Sequence, residues 1–211
     1  MNLKFCGIFR DEDVEFVNKI RPDYMGMILS EGFRRTISHE TATKFSLKKD
    51  SDIKTVGVFV DESVEYIKKA VFQIQLDVIQ LHGKENADMI STLHKELNVP
   101  VWKAVRVQTI QDVRNAEKLG ADVLILEGYH PDVIGGGGIT ANWDLICQSN
   151  PKQPFFLAGG LCPDNVKQAK EVVKPYGIDI SSGIETNGVK DFEKMKQVAE
   201  ILREGEKSWE K

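Results

Sequence analysis

The chain has 211 residues, 41% of them hydrophobic and 28% charged, and its 28 Lys and Arg against 32 Asp and Glu leave a formal net charge of −4. This is the balance of a soluble globular chain of one domain, residues 1–211, and it excludes a disordered or low-complexity polymer. The mild acidity, with lysines interleaved among acids as in EKMKQVAEILREGEK, argues against a nucleic-acid partner, and no apolar run approaches the roughly 18 residues of a membrane span.

Taken in chain order, short apolar or β-branched runs alternate with stretches of helical period. The first run is 3–6, followed by a helix over 11–20 with Val14, Phe16, Val17 and Ile20 on one side and Asp11 or Asp13 near its start. Run 24–29 precedes a helix over 38–47. Run 55–60 precedes a helix over 61–72, for which Asp61 is the expected N-cap. Runs 78–81, 101–105 and 123–126 precede helices over 86–97, 109–119 and 142–148. The last two runs, 155–157 and 178–180, lead into helices over 164–173 and 191–203. Runs this short are strands buried on both faces rather than helices.

Eight strands alternating with eight helices require parallel pairing, because each crossover returns the chain to the same end of the sheet. Start-to-start spacing is 21–23 residues for most units, and 31 and 32 for the second and sixth. Such regularity favours closure into a ring, and no glycine-rich dinucleotide fingerprint follows the first strand to support an open doubly wound sheet. The expected fold is therefore α/β, a single-domain (β/α)8 TIM barrel. The surplus residues of the two long units fall at 30–37 and 128–141. Both segments follow strands, and so lie at the barrel face where active sites are assembled.

The strand ends carry the chemistry. Cys6 closes the first strand, where a thiol of lowered pKa could act as a base, although a lone cysteine also serves as a small buried hydrophobe. Cys147 and Cys162 lack such placement; three cysteines cannot all pair and match no zinc spacing, so no metal and a reducing cytoplasm are expected. Glu127 ends the sixth strand, and burial would raise its pKa toward that of a general acid. Gln80 and His82 end the fourth. Gly159 and Gly160 in LAGGL, with Ser181, Ser182 and Gly183 in ISSGIET, follow the last two strands, where barrels often cradle a phosphate with backbone N–H groups and hydroxyls. Arg34 and Arg35 sit in the long second loop, where a guanidinium can clamp a carboxylate with two parallel hydrogen bonds. The glycines at 135–138 read as a lid hinge.

Assembled in this order, the residues resemble phosphoribosylanthranilate isomerase of tryptophan biosynthesis over essentially the whole chain. The matching stretches are KFCGI, RRTIS, VGVFV, DVIQLHG, FFLAGGLCPDNV and YGIDISSGIETNGVKD. The resemblance implies the barrel fold and a cofactor-free Amadori rearrangement of an aminated phosphosugar. It implies that Cys6 is the general base at ribose C2 and Glu127 the general acid at the ring oxygen. It further implies that Arg35 meets the anthranilate carboxylate, and that Gln80, His82 and Asp179 contact the substrate. Gly159, Gly160, Ser181, Ser182 and Gly183 would hold the phosphate. A monomer or a homodimer is expected.

Departures from the family pattern cluster in the loops. Glu127 stands where an aspartate is usual, and the sixth loop reads GGGGITANW, with Ile139, Ala141 and Asn142 in place of lysine, phenylalanine and aspartate. Phe33 and Phe9 replace smaller or polar residues. These changes keep two other readings open: an isomerase for a different aminated phosphosugar, and a phosphate-binding barrel with weakened catalysis.

Overall fold

The computed structural model describes residues 1–128 and 143–204. The expected barrel is present: β1 (Asn2–Phe5), β2 (Tyr24–Ile28), β3 (Lys54–Phe59), β4 (Val78–Leu81), β5 (Val101–Val107), β6 (Val123–Gly128), β7 (Phe155–Ala158) and β8 (Gly177–Ile180) form one closed ring in sequence order. All neighbours pair in parallel, and β1 closes on β8 with Lys4 opposite Asp179. Helices α1 (Asp11–Ile20), α2 (His39–Lys48), α3 (Val64–Ile74), α4 (Ala87–Glu96), α5 (Ile110–Glu117), α6 (Trp143–Ser149), α7 (Val166–Val173) and α8 (Phe192–Arg203) follow the strands. None of these helices is long and apolar enough to cross a membrane.

Helix starts follow the local side chains. Ser38, Ser63, Asn86 and Asp191 each accept a backbone N–H from the first turn of α2, α3, α4 and α8, which satisfies a donor the helix itself leaves unpaired. At α1 the buried Asp13 does this work, accepting from the Phe9 and Arg10 amides at 3.1 Å each. Asp61 does not cap α3, contrary to expectation. It adopts a left-handed φ of 53°, and its carboxylate accepts from the Lys84 amide while its own amide donates to Glu85. The cap falls to Ser63 because Asp61 is committed to the loop after β4.

The strands divide their side chains between two cores. Leu3, Phe5, Leu124, Leu126, Leu157, Ile178 and their like face the helix layer. The alternate positions point into the ring, as the pleat requires. There Tyr24, Val56, Val78, Trp102, Ala104, Ile125 and Phe156 make a dry floor, with Trp102 stacked on Phe156 at 4.9 Å and Tyr24 edge-on to both. Above the floor the inward positions turn polar: Lys4, Gln80, Glu127 and Asp179. Two features lay beyond the sequence reading, a single 3-10 turn at Ser182–Ile184 and a two-stranded hairpin of β9 (Glu185–Thr186) and β10 (Val189–Lys190) before α8.

Gly177 is required by that floor, since a Cβ there would collide with the Phe156 ring. Gly177→Ala is expected to destabilise the protein by about 1–3 kcal/mol, the ordinary cost of overpacking, read as a lower urea midpoint at unchanged slope.

Candidate active site

Cys6, Glu127, Arg35, Gln80, His82, Asp179, Gly159, Gly160, Ser181, Ser182 and Gly183 line one cavity of about 250 Å³ at the C-terminal ends of the strands, and Arg34 does not. Cys6 enters it from the position after β1, its amide anchored to the Ile180 carbonyl at 2.9 Å. Glu127 enters from β6. Gln80 and His82 come from β4 and the residue pair beyond it, Asp179 from β8, and Arg35 from the long loop after β2. A larger cleft of about 570 Å³, lined also by Lys84, Arg106 and Asn115, shares His82 and Glu127 with this cavity. The sixth-loop glycines 135–138, together with Ile139, Ala141 and Asn142, lie outside the described residues. Phe33 is solvent-exposed and Phe9 packs against the core.

The two candidate proton-transfer groups are tuned opposite to expectation. Cys6 is buried, and that desolvation pushes its thiol above the ordinary value; the adjacent Lys4 ammonium pulls the other way without prevailing. Glu127 also suffers a desolvation that would raise its pKa. The hydrogen bond and charge of His82, helped by Arg106 and Lys4, outweigh it and hold the carboxyl below the ordinary value. His82 Nε2 lies 3.4 Å from Glu127 Oε1, and Arg106 Nε lies 3.8 Å from Oε2. On the other side of the ring, His82 Nδ1 lies 3.2 Å from Gln80 Nε2. Gln80 Oε1 is buried with no hydrogen-bond partner among the described residues. A buried acceptor left unpaired costs about 1–3 kcal/mol, so its place in the cavity suits a ligand donor.

Arg35 differs from the free clamp the sequence suggested. Its Nε and Nη2 donate to the two Glu185 oxygens at 2.6 and 2.8 Å. Arg34 and Lys190 donate to the same carboxylate at 2.6 and 2.8 Å. The paired edge of the Arg35 fork is thereby used, and a ligand would meet its remaining Nη1 side. Ser181 likewise has its proton placed, donating to the Cys6 carbonyl at 3.1 Å, whereas Ser182 is exposed. Gly159 and Gly160 adopt φ of +87° and +65°, a left-handed backbone that glycine reaches without strain. A side chain on Gly183 would strike the Leu161 carbonyl. The loop after β7 is held by Asn165, which accepts from Cys162 N and donates to the Gly160 carbonyl, both at 2.9 Å.

Sequence reasoning passed over Lys4, Glu185 and Lys190. Lys4 is fully buried inside the ring and donates to both Asp179 oxygens at 3.0 Å. A lysine inside an apolar strand, as in LKFC, was the available signal. The two arginines that meet Glu185 are some 150 residues away along the chain; Lys190, five residues on, is a local partner of its carboxylate.

A family model described as N-(5'phosphoribosyl)anthranilate (PRA) isomerase matches residues 3–201. The N-(5'-phosphoribosyl)anthranilate isomerase of Clostridium acetobutylicum is 41% identical, the match covering 93% of this chain and 95% of that one. The protein of the same name from Thermoanaerobacter sp. is 38% identical over 96% and 98%. Among solved structures, phosphoribosyl anthranilate isomerase from Thermotoga maritima superposes with a TM-score of 0.88 at 32% identity, covering 97% of this chain and 99% of that one. A further structure of the isomerase, in complex with reduced 1-(o-carboxyphenylamino)-1-deoxyribulose 5-phosphate, gives 0.85 at 30%, covering 97% and 99%.

The cationic cluster lowers the Glu185 pKa from 4.5 to about 2, its burial opposing and the Arg35 and Lys190 hydrogen bonds prevailing. A carboxylate depressed in the folded state stabilises above its unfolded pKa and loses that contribution as pH falls through the folded value. Glu185→Gln should therefore lower stability at neutral pH by on the order of 2 kcal/mol, allowing for solvent screening of the shift. It should also flatten the loss of stability between about pH 5 and pH 2, measured by urea unfolding across that range.

Proposed function

The chain belongs to the N-(5'-phosphoribosyl)anthranilate isomerase family, and from that premise we propose that Cys6 and Glu127 divide the two proton transfers of the reaction between them. The protein is an isomerase of tryptophan biosynthesis, converting N-(5'-phosphoribosyl)anthranilate to 1-(2-carboxyphenylamino)-1-deoxyribulose 5-phosphate. The observation that carries the assignment is the convergence of one thiol and one carboxyl on a cavity whose apolar lining is aliphatic and which is bordered by a glycine- and serine-rich cradle.

Glu127 gives its proton to the furanose ring oxygen, the C1–O bond breaks, and the anthranilate nitrogen lone pair forms the C1=N bond of a protonated Schiff base. The Cys6 thiolate then takes the proton from C2, and the C2–H electrons move toward the iminium to give the enaminol, which tautomerises to the ketone. General acid and base contribute on the order of 10²–10⁴-fold each. The phosphate rests against Gly159, Gly160, Ser182 and Gly183, where glycine lets backbone N–H groups approach. Gln80 Oε1 accepts from a sugar hydroxyl, with His82 and Asp179 nearby, and Arg35 offers Nη1 to the anthranilate carboxylate. No metal or cofactor takes part in these steps.

The directions of the two pKa shifts impose a condition on this scheme. At neutral pH the resting pair holds one proton, on sulfur. The reactive pair holds the same single proton on the carboxyl. Net charge is equal in the two forms, so pH cannot change their ratio; it only removes the singly protonated pair at either extreme. The kcat/KM profile is thus expected to be a broad bell, its acid limb below the ordinary glutamate value of about 4.3 and its basic limb above the ordinary cysteine value of about 8.5.

Turnover of phosphoribosylanthranilate tests the assignment. Cys6→Ala should lower kcat by about 10²-fold or more; unchanged turnover would remove the thiol from the mechanism. Glu127→Asp should also slow the reaction, by roughly 10-fold or more, because withdrawing the carboxyl by one methylene misplaces it on the scale of 1 Å. A large gain would instead mark the glutamate as the cause of weakened catalysis.

A further inference from the structure

We infer that Lys4 is a positioning residue for the reaction, holding the Cys6 thiolate through an ammonium that it divides between that sulfur and Asp179. The inference rests on the assignment of Cys6 as base. Lys4 and Cys6 are two residues apart at the end of β1, so the pleat sends both side chains into the ring. Lys4 sits directly across from Asp179 in the β1–β8 register and is held by both carboxylate oxygens at 3.0 Å. The neighbouring strand leaves a gap beside them: a Cβ on Gly26 would lie 3.0 Å from Cys6 Sγ and 3.0 Å from Lys4 Nζ. Gly26 thus leaves open a space that borders both the sulfur and the ammonium.

A bare thiolate in this enclosure would bear the full cost of an unpaired buried charge. Lys190 and Arg35, the nearby cations at the cavity edge, are both committed to Glu185. His82 and Glu127 also face the cavity, paired with each other. The cation that most favours the ionised sulfur is Lys4, with Lys190 adding a smaller pull and Asp179 opposing both. Removing Lys4 leaves an unpaired carboxylate and a disfavoured thiolate. Removing the Asp179 charge frees the ammonium for sulfur. The two changes move the thiol in opposite directions, which a merely structural ion pair would not do.

The test uses the full chain carrying Cys147→Ser and Cys162→Ser, so that Cys6 is the one thiol. The rate of iodoacetamide alkylation is followed against pH on the resting protein, together with the ultraviolet absorbance of the thiolate. Lys4→Gln should raise the midpoint by about one pH unit or more, a tenfold loss of thiolate at fixed pH, and Asp179→Asn should lower it. Gly26→Ala, which pushes sulfur and ammonium apart while leaving the lysine in place, should raise it and serves if Lys4→Gln does not fold. Midpoints that stay put, or that move in the same direction for Lys4→Gln and Asp179→Asn, overturn the inference. Because alkylation is read without substrate, a shifted midpoint beside undiminished Cys6→Ala turnover would sink the assignment of the base and leave the ion-pair geometry standing. The converse pattern would sink the role of Lys4 alone.

Discussion

A pleated strand must send alternate side chains to opposite faces, and in a closed ring one of those faces is a narrow interior with no exit except its ends. Whatever stands at an inward position therefore has to fill the ring or serve it. Lower in this barrel the positions are filled by Tyr24, Trp102, Phe156 and their aliphatic neighbours. Other inward positions are polar: Lys4 on β1, Gln80 on β4, Glu127 on β6 and Asp179 on β8. A slip of one residue in any strand would exchange these groups with the residues that face the helices. The site is thus specified by the same alternation that specifies the core.

Charge is arranged in three separate knots around the cavity. Lys4 with Asp179 lies deepest, Glu127 with His82 and Arg106 stands on the β6 side, and Glu185 gathers Arg34, Arg35 and Lys190 at the rim. Their depths differ, and so do their consequences. The rim cluster holds its carboxylate ionised through three cations and ties the second loop to the hairpin after β8. The Glu127 knot keeps a carboxyl charged despite its burial. The thiol, with burial against it and the charges of Lys4 and, more weakly, Lys190 in its favour, stays protonated at rest. In the proposed scheme, a proton lost by Glu127 and one gained by Cys6 leave the interior's total charge constant, which limits the cost of acid–base chemistry in a low-dielectric enclosure.

Much of this was legible from residue order. Apolar runs bounded by turns place all eight strands within a residue or two, because a strand buried on both faces has no polar positions to blur its limits. The residues at strand ends could be assigned to one face because a parallel ring has only one such end. What escaped depended on contacts that no local pattern carries. Lys4 meets Asp179 across 175 residues and Arg35 meets Glu185 across 150. Asp61 is a good cap by type, yet a neighbouring loop claims it. The sign of the Glu127 shift turned on His82, a residue noticed in the sequence without its partner. Burial alone predicts a raised carboxyl; burial beside a donor and a guanidinium does not.

The seam between β1 and β8 has a bearing on how the molecule comes into being. Asp179, Ser181, Gly183 and Glu185 are all supplied by the final strand and the segment after it, whereas Lys4, Cys6 and Arg35 belong to the opening two units. During synthesis the early groups emerge long before their counterparts exist. Any partly assembled ring on the ribosome carries an exposed lysine and a free sulfur on an unsealed edge. Competence and edge protection arrive together, when the last strand docks.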